Sequence, residues 1–484
     1  MKLKKVFKGI NIGIKNNIEI NKIEIDSRKV EKGDMFVAIK GFENDGHNYI
    51  DEAINKGASV ILINEDRLDE FVDKKVIVLA TENTREILSL LANNYYNNPS
   101  KHFKLIGVTG TKGKTLTTYI IKNILNKANK KVGLIGTIAT SIDDKKIKDN
   151  DRTTPEPIEL QKTFDYMKKE KCKYVVMEVS SQSLKLGRVN DSNFDYGIFL
   201  NLSEEHVSKN EHKDMDEYFY CKSLLFDMVK KGFVNIDDYY GKKLIDLKQT
   251  KYKTFSIDDK SNKQAYNIEI NEKYTKFETK VYGKNEEFIT PLIGKFIVYD
   301  MLAAISLCEE LKIDVKYIKE GIKDIFVPGR EEKVINDYGY NIIIDYAHNS
   351  SSLENILKTY KDIKNGKLIT VFGCAGRRGK VKRKEMGRIS GTYSDYTIIT
   401  EDNPIDEDPK IICKEIEEGI KEKTNNYEII IDREKAIYKA IKLATKEDII
   451  ILAGKGHETY QLIGKDKIPF IEKNIVLDAL KELK

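Results

Sequence analysis

A glycine-rich turn between a short apolar run and a helical stretch constrains this chain more than any other feature. The apolar run KLIGVT covers residues 104–109, the turn GTKGKT covers 110–115, and an apolar-periodic stretch follows at 115–130. A strand, a glycine-rich turn and a helix N-terminus form a phosphate-binding loop, because backbone N–H groups and the positive end of the helix dipole face the anion. The pattern predicts a nucleoside triphosphate site at the edge of a parallel α/β sheet.

The turn carries the residue types that a triphosphate and its metal ion need. Gly110 and Gly113 allow the backbone to approach phosphate oxygens, Lys114 can reach the β- and γ-phosphates, and the Thr115 hydroxyl can reach Mg²⁺. Val108 stands where the strict GxxxxGK[ST] pattern has its first glycine. A glycine-rich turn without a ligand is the alternative, and the loop alone leaves a motor, a switch and a ligase open. The predicted ATP-binding loop consists of Gly110, Thr111, Lys112, Gly113, Lys114 and Thr115.

Strand-like and helix-like segments alternate along most of the chain, which predicts an α/β protein with mostly parallel sheets. At 484 residues the chain has room for about two to four domains. The polar segment NNYYNNPS at 93–100 and the segment FVPGRE at 326–331 are the predicted boundaries. We therefore expect domains at 1–98, 99–328 and 329–484.

Composition excludes several other classes of protein. A net charge of +6 over 484 residues is too small to indicate nucleic-acid binding, and no apolar run of 18 residues predicts a membrane span. Five scattered cysteines without a CxxC pair exclude a disulfide framework and a thiolate zinc site. The basic N-terminus is followed by no apolar signal region, so a cytoplasmic location is expected. Only 11 of the 83 basic residues are arginine, and we expect those few to form bidentate contacts.

Nine motifs follow one another in an order that identifies a family. They are GTKGKT (110–115), DRTTPEP (151–157), MEVSSQSL (177–184), FLNLSEEH (199–206), YFYCKSLLF (218–226), VPGREE (327–332), DYAHN (345–349), DNPIDEDP (402–409) and GKGHE (454–458). In this order they resemble the Mur ligase superfamily, and in particular its MurE family of cytoplasmic ligases. Residues 26–50 also resemble the uridine-nucleotide domain of that family.

The resemblance implies a fold and a reaction. The fold would be a three-domain Mur ligase architecture, with a uridine-nucleotide domain, a central P-loop ATPase domain and a C-terminal Rossmann-like domain that binds the amino acid. The reaction would transfer the γ-phosphate of ATP to the D-glutamate carboxylate of UDP-N-acetylmuramoyl-L-alanyl-D-glutamate. The amine of a diamino acid would then attack the acyl phosphate and give the amide. The resemblance also implies peptidoglycan synthesis, with roles in cell shape and division, and we expect a monomer.

Three further residues are candidates for the magnesium and catalytic sites. Glu178 ends a strand near the phosphate loop, where its carboxylate can help to hold Mg²⁺; a solvated strand-end glutamate is the alternative. For His206, the resemblance implies a magnesium ligand, and a structural histidine is the alternative. Lys114, His206 and Lys222 are the predicted catalytic residues. By its sequence pattern alone, Lys222 is an ordinary surface lysine. The resemblance instead makes it a carbamylated lysine, whose anion can bind a second Mg²⁺.

The resemblance also assigns binding residues for the two nucleotides. His348, at the end of an apolar strand, and Arg330, beside the hinge, would lie near ATP, although a core histidine is the alternative for His348. For the uridine nucleotide and its sugar, hydroxyls and guanidinium groups suit phosphate and sugar oxygens. These candidates are Ser27, Arg28, His47, Asn48, Thr153, Thr154, Ser180, Ser181 and Arg188.

The third substrate depends on DNPI at 402–405. Enzymes of this family that add meso-diaminopimelate carry DNPR, whose arginine holds the distal carboxylate, whereas Ile405 cannot bind a carboxylate. We therefore predict L-lysine, with ornithine or meso-diaminopimelate as alternatives. Arg383 would hold the α-carboxylate and Asn403 would add a polar contact, while Asp402 and Glu458 would meet the distal ammonium. Arg377 or Arg378 is the alternative source of a guanidinium group that could bind the distal carboxylate.

Three competing functions remain to be separated from this one. A P-loop switch or motor ATPase accounts for GTKGKT but not for DNP, GKGHE or VPGRE. Folylpolyglutamate and cyanophycin synthetases share the chemistry but not the N-terminal segment that resembles a uridine-nucleotide domain. An inactive scaffold is disfavoured because Lys114, Thr115, Glu178, His206 and Lys222 are all present.

Overall fold

The computed structural model describes residues 1–41, 44–71, 74–205, 207, 211–377 and 379–483. These residues form two compact units. The first comprises Met1–Tyr266, Thr279–Glu286 and Tyr299–Ile322, and the second comprises Asn267–Glu278, Glu287–Val298 and Lys323–Lys484. The predicted domain boundaries at 98 and 328 stay a prediction. No helix in the described parts of the chain is both long and apolar enough to cross a membrane.

Helices and strands alternate through the first unit, as the sequence predicts. Its elements are α1 (Leu3–Val6), β1 (Ile23–Glu24), β2 (Met35–Val37), α2 (Ile50–Asn55), β3 (Val60–Asn64), β4 (Ile77–Thr81), α3 (Thr84–Tyr95), β5 (Lys104–Thr109), α4 (Lys114–Lys127), β6 (Val132–Ile135), β7 (Ala139–Ile142), β8 (Lys145–Asp149), α5 (Pro157–Lys169), β9 (Tyr174–Glu178), α6 (Ser181–Lys185), β10 (Phe194–Phe199), α7 (Met215–Ser223), α8 (Leu225–Met228), β11 (Lys231–Asn235), α9 (Tyr239–Leu247) and β12 (Lys251–Ser256).

The elements that follow lead into the second unit and then make up most of it. They are β13 (Lys263–Ile270), β14 (Thr275–Val281), β15 (Lys284–Thr290), α10 (Lys295–Glu310), α11 (Val315–Lys323), β16 (Glu332–Val334), β17 (Asn341–Asp345), α12 (Ser350–Ile363), β18 (Leu368–Phe372), α13 (Lys380–Tyr393), β19 (Tyr396–Ile399), α14 (Pro409–Ile420), β20 (Tyr427–Ile429), α15 (Arg433–Leu443), β21 (Ile449–Ala453), β22 (Tyr460–Ile463), β23 (Asp466–Pro469) and α16 (Glu472–Glu482).

The N-terminal segment forms a small parallel sheet in the order β1-β2-β3-β4. The inner strands β2 and β3 are buried on both faces, which is why they appear in the sequence as continuous apolar runs. The predicted linker at 93–100 does not begin where its polar composition suggests. Helix α3 continues to Tyr95, because the buried Asn94 side chain donates to the carbonyl oxygens of Val6 and Lys8 at 2.9 and 2.8 Å.

The second sheet positions the phosphate loop. Strand β5 lies between β10 and β9 and is parallel to both, with Val108 paired to Glu178 and Thr109 paired to Phe199. Strands β11 and β12 extend the sheet on one side, and β6, β7 and β8 on the other. Because the carboxyl ends of neighbouring parallel strands meet at one edge, the segments that follow β5, β9 and β10 lie together.

The second unit contains a sheet in the order β16-β17-β21-β18-β19-β20, in which only β16 is antiparallel to its neighbour. Apolar clusters pack on both faces of this sheet. Asp345, Phe372 and Ile399 end β17, β18 and β19, and Ala453 ends β21 between the first two. The segments DYAHN, DNPI and GKGHE therefore lie at one edge, which agrees with the predicted Rossmann-like arrangement.

Candidate active site

The phosphate loop runs from the end of β5 into the first turn of α4. Gly113 has a φ of +84°, and a Cβ there would lie 2.3 Å from an Asp300 carboxylate oxygen, so the position requires glycine. Asn201, which follows β10, accepts from the amide of Thr111 at 3.0 Å and, through its side chain, from the amide of Lys112 at 2.9 Å. These contacts fix the curvature of the loop at the carboxyl edge of the sheet.

Two lysine side chains converge on the start of this loop. The Lys114 Nζ donates to the carbonyl oxygens of Gly110 and Thr111 at 2.8 and 3.0 Å. The Lys222 Nζ, from α7, donates to the same Gly110 oxygen at 2.8 Å. A lysine side chain at a glycine-rich loop, here that of Lys114, suits the binding of a polyphosphate.

Lys222 is buried, unlike the ordinary surface lysine that its sequence pattern suggests. Its side chain is 2% exposed, and its Nζ lies 4.8 Å from the centre of the Tyr218 ring. Burial, and next the neighbouring charge of Lys114, holds the pKa of Lys222 well below the ordinary lysine value. A neutral amine is the form that reacts with CO₂, so this environment suits carbamylation.

Glu178 and Thr115 form the oxygen-rich corner of the site. The buried Glu178 carboxylate accepts from the Thr115 hydroxyl at 3.0 Å and from the amide and hydroxyl of Thr137 at 2.8 and 2.9 Å. A carboxylate and a hydroxyl at a phosphate loop are hard oxygen donors of the kind that Mg²⁺ prefers. These two residues therefore fit the predicted ion. His206 lies outside the described residues.

A cavity of about 770 Å³ opens beside the loop within the first unit. Its described lining includes Lys114 and Lys222 together with Arg85, Arg152 and Arg188. The three guanidinium groups all pair with one carboxylate, Glu156; Arg85 and Arg188 do so at 2.6 and 2.9 Å. The described lining has two carboxylates, Glu156 and Glu211, against these three arginines, Lys40 and Lys114, so excess positive charge remains, which suits an anionic substrate.

Arg188 is the most enclosed of the three arginines. Its Nη1 donates to the Thr154 carbonyl oxygen at 3.3 Å, and its Nε has no hydrogen-bond partner among the described residues. Burial, opposed by Glu156, lowers the pKa of the guanidinium. Arg188 lines the cavity, and its role in binding the uridine-nucleotide substrate stays a prediction.

The predicted hydroxyl residues surround the same cavity. The Thr154 hydroxyl donates to the Glu178 carbonyl oxygen at 2.9 Å, and the Ser180 hydroxyl accepts from the amide of Ser183 at 3.2 Å at the start of α6. The Thr153 hydroxyl lies 3.1 Å from that of Thr137. Thr153, Thr154, Ser180 and Ser181 all line the cavity.

His212, which is not among the candidates from the sequence, is buried against Ser181. Its Nε2 lies 2.8 Å from the Ser181 hydroxyl oxygen, and its ring stacks on Tyr218 with the ring centres 4.9 Å apart. Its Nδ1 has no hydrogen-bond partner among the described residues and lies 3.9 Å from the Glu217 carboxylate. Burial, and next the charge of Lys185, lowers the pKa of His212, which favours the neutral ring. The segment KNEHKD around it carries no periodicity or motif spacing that could have identified it.

The four candidates from the N-terminal segment occupy another part of the first unit. The Ser27 hydroxyl donates to Glu52 at 2.6 Å, and exposed Arg28 forms a bidentate pair with Asp26. Both ring nitrogens of buried His47 are engaged, by the Asp45 carboxylate at 2.6 Å and by the amide of Asn64 at 3.1 Å. Asn48 is exposed. The described lining of the cavity includes Lys40 and Gly41 from this segment but none of these four, whose roles stay predictions.

In the second unit, Arg330 belongs to a cluster of aromatic and imidazole rings. Its guanidinium lies 4.6 Å from the centre of the Tyr346 ring, which also contacts the rings of His348 and His457 at 4.4 and 4.7 Å. Burial, and next the charge of Arg330, lowers the pKa of His457 to about 4. The exposed His348 ring donates through Nδ1 to the Tyr346 carbonyl oxygen at 2.8 Å. The nucleotide-binding roles of Arg330 and His348 stay predictions.

Three of the four residues predicted to contact the amino acid, Asp402, Asn403 and Glu458, converge on Lys455, which is not among the candidates from the sequence. The Lys455 Nζ donates to the Asn403 side-chain oxygen at 2.8 Å and to the Glu458 carboxylate at 2.6 Å. It lies 3.8 Å from the Asp402 carboxylate. Burial raises the pKa of Asp402, while Arg433 and Lys455 oppose this effect. Asp402 and Glu458, which were predicted to bind the distal ammonium of the amino acid, therefore already face the ammonium of Lys455.

The arginines near this cluster are paired with acidic side chains. Arg383 forms ion pairs with Glu407 and Glu415 at 2.8 Å each. Burial acts to lower the pKa of Arg383, but these two pairs raise it overall. Arg377, which is 68% exposed, forms a bidentate pair with Asp406. Arg378 lies outside the described residues. The predicted carboxylate contact of Arg383 stays a prediction, and a substrate carboxylate would compete with these glutamates.

Three family models match successive parts of the chain. The Mur ligase family catalytic domain matches residues 19–96, the Mur ligase middle domain matches 108–308, and the Mur ligase glutamate ligase domain matches 329–456. These matches and the parallel sheets confirm the predicted three-domain α/β architecture.

Curated relatives match over nearly the whole chain. A UDP-N-acetylmuramoyl-L-alanyl-D-glutamate–2,6-diaminopimelate ligase of Clostridium botulinum is 43% identical, over 97% of this chain and 96% of the relative. The Clostridioides difficile protein of the same name is also 43% identical, with both chains fully covered.

Solved structures share the fold. A ligase of the same name superposes with a TM-score of 0.71 at 24% identity, over 100% of this chain and 99% of that one. The MurF ligase of Thermotoga maritima, in complex with ADP, superposes with a TM-score of 0.64 at 18% identity, over 96% of this chain and 97% of that one.

Proposed function

The chain belongs to the Mur ligase family, and we propose that it joins a diamino acid to UDP-N-acetylmuramoyl-L-alanyl-D-glutamate with the hydrolysis of ATP to ADP and phosphate. The observation that carries this proposal is the shared position of Lys114 and Lys222. Both contact the phosphate loop, and both line a cavity that three arginines make positive. A triphosphate and an anionic acceptor can therefore be bound side by side.

The amino acid that we propose is meso-diaminopimelate, the alternative to the lysine that Ile405 predicted. The relatives that match over the whole chain carry 2,6-diaminopimelate in their names. The charges around Asp402 and Glu458 favour the same choice, because Lys455 already partly neutralises them. Ornithine has no support from either observation.

The proposed reaction begins at the phosphate loop. Lys114 holds the γ-phosphate in line with the D-glutamate carboxylate of the acceptor, and Arg188 and the hydroxyl residues of the cavity orient that acceptor. Mg²⁺, held by Thr115 and Glu178 with His206 and carbamylated Lys222 as the further predicted ligands, would neutralise charge on the transferred phosphoryl group. The chain's contribution is mainly positioning and charge stabilisation.

The second half of the reaction is attack by an amine on the acyl phosphate. The uncharged amine of the diamino acid attacks the acyl carbon, and the tetrahedral intermediate expels phosphate to leave the amide. Arg383, Asp402, Asn403 and Glu458 are the proposed contacts of that amino acid. Arg330 and His348 are the proposed contacts of the nucleotide, and Ser27, Arg28, His47 and Asn48 those of the uridine moiety.

A product assay tests the proposal directly. The protein is incubated with ATP, Mg²⁺, the uridine-nucleotide dipeptide and equal concentrations of lysine, ornithine and meso-diaminopimelate, and the products are identified by mass. We expect the diaminopimelate adduct, with ADP release that requires both the acceptor and the amino acid. A Lys114→Ala variant should lose ligation but still bind the acceptor. ATP hydrolysis that is independent of the acceptor would contradict the ligase function and favour a P-loop ATPase.

A further inference from the structure

Lys455 is a buried cation whose three hydrogen-bond donors are all engaged. Its side chain is 0% exposed, and its Nζ donates to the Asn403 side-chain oxygen, the Glu458 carboxylate and the Tyr460 carbonyl oxygen at 2.8, 2.6 and 2.6 Å. An ammonium group has three N–H donors, so this geometry satisfies it fully. The position of the charge is therefore fixed by the second unit itself.

The same contacts fix the orientation of the two neighbouring side chains. The Asn403 oxygen also accepts from the amide of Leu462 at 2.9 Å, so its Nδ2 faces Glu458 and donates to that carboxylate at 3.0 Å. Both contacts to Glu458 use one carboxylate oxygen, Oε2. The other oxygen, Oε1, lies 3.5 Å from the Tyr346 hydroxyl. One face of Glu458 is thus held while the other can take a ligand.

Lys455 also sets the charge of this cluster. Two carboxylates, Asp402 and Glu458, face the Lys455 ammonium, and the nearby Arg433 charge is paired with Glu472, so these five side chains together carry one negative charge when all are ionised. Without Lys455 the same group would carry two. A distal group with only an ammonium gains most from the larger negative charge, whereas in a distal group that also has a carboxylate the repulsion of that carboxylate offsets the gain.

We propose that Lys455 is a positioning and specificity-determining residue, which orients Asn403 and Glu458 and makes the site favour a diamino acid whose distal carbon carries both an ammonium and a carboxylate. This inference rests on the proposed ligase function. It attributes the preference for such a diamino acid over lysine to the positive charge of Lys455.

Two neutral substitutions test the charge separately from the packing. Lys455→Met removes both the charge and the hydrogen bonds, while Lys455→Gln keeps an amide donor without the charge. We expect both to move the ratio of kcat/KM for meso-diaminopimelate to that for lysine towards lysine by about tenfold or more, with little change in the KM for ATP. Lys421→Met, which removes an exposed lysine paired with Glu417 on α14, is the matched control.

Each outcome bears on the inference. If wild type makes no amide with any diamino acid, the proposed function fails, and the inference fails with it. If wild type is active and both neutral variants are folded but keep the wild-type ratio within about twofold, Lys455 has only a structural role. If thermal melting shows that neither neutral variant is folded, Lys455→Arg is the test. This variant keeps the positive charge, so we expect it to keep the wild-type ratio of kcat/KM for meso-diaminopimelate to that for lysine. A shift of that ratio by about tenfold towards lysine would overturn the proposal.

Discussion

Lys114 and Lys222 share a single acceptor, the carbonyl oxygen of Gly110, which each approaches to 2.8 Å. They are 108 residues apart in sequence, and they meet because α4 begins at the phosphate loop while α7 follows the neighbouring strand β10. Two ammonium groups that share one acceptor repel each other, and this repulsion contributes to the lowered pKa of Lys222. Carbamylation of Lys222 would replace this repulsion by an attraction between opposite charges.

Removal of the Lys222 side chain should therefore abolish ligation. We expect Lys222→Ala to lose at least about a hundredfold in kcat, because positioned charge of this kind contributes roughly 2.7–4 kcal/mol to a transition state. Short-chain carboxylates such as acetate should restore part of the activity by supplying the missing anion. The measurement is the rate of ADP release at increasing acetate, with chloride at equal ionic strength as the control. An active Ala variant that acetate does not affect would contradict carbamylation.

The buried amine also predicts a pH dependence of stability. In the folded state the pKa of Lys222 lies well below the ordinary value of 10.5, so between these two values the unfolded chain binds more protons than the folded one. Stability therefore rises with pH through this window, by at most about 1.4 kcal/mol per pH unit. Lys222→Met has no titrating amine at this position. The difference in the free energy of unfolding by which this variant exceeds wild type should therefore shrink as pH rises towards 10. Urea unfolding of both proteins from pH 7 to 9.5 in CO₂-free buffer measures this difference. If the free energy of unfolding changes with pH in the same way in both, the pKa of Lys222 is not lowered in the folded state.

The sequence predicted the buried strands well, because strands covered on both faces must be apolar throughout. The runs KLIGVT, YVVMEV and DIIILAG correspond to β5, β9 and β21. It did not predict the exposed strands β8 and β23, whose sequences KKIKD and DKIP alternate no more than a loop does. Their pairing depends on the neighbouring strand, which local sequence does not encode.

Site residues were predictable where a motif carries its own local geometry and unpredictable where tertiary contacts decide. Gly113 and Thr115 belong to the first kind, since the turn and the helix start define both. The burial of Lys222 and Lys455 belongs to the second, because a lysine is buried only when acceptors far along the chain come to it; the family resemblance named Lys222, but its own sequence pattern indicated a surface lysine. Gly110 lies 112 residues from Lys222, and Asn403 lies 52 residues from Lys455.

His212 should act on the binding of the uridine-nucleotide substrate. Its ring fixes the Ser181 hydroxyl at 2.8 Å within the wall of the cavity. Loss of one such hydrogen bond costs about 0.5–1.5 kcal/mol, so His212→Asn should raise the KM for the dipeptide substrate about three- to tenfold and leave the KM for ATP nearly unchanged. His102→Asn, at an exposed position in the same unit, is the control. Equal KM values for the two variants would show that the His212 ring does not position Ser181.

The last prediction concerns Ile405, whose backbone and side chain both matter. Its φ of +57° is unusual for a β-branched residue, and its side chain is half-buried. Its amide donates to the Leu462 carbonyl oxygen at 3.1 Å, and the Leu462 amide in turn donates to the Asn403 side-chain oxygen, so the backbone of residue 405 is held two hydrogen bonds from the Lys455 cluster. An arginine there would add a donor for a carboxylate. Hydrogen bonds to charged groups are worth about 1.5–3 kcal/mol, so Ile405→Arg should increase the preference for meso-diaminopimelate over lysine by roughly tenfold or more.

The matched comparison for that substitution is Ile405→Met, which has a long apolar side chain without charge and releases the same β-branched strain. Both variants and wild type are given equal lysine and meso-diaminopimelate, and the two products are counted by mass. Repulsion between the new guanidinium and the distal ammonium of lysine should lower the lysine product, while the distal carboxylate of diaminopimelate compensates for it. If Ile405→Arg and Ile405→Met give the same product ratio, residue 405 does not contact the distal end of the amino acid. The choice between the two substrates would then rest on Lys455 and its neighbours alone.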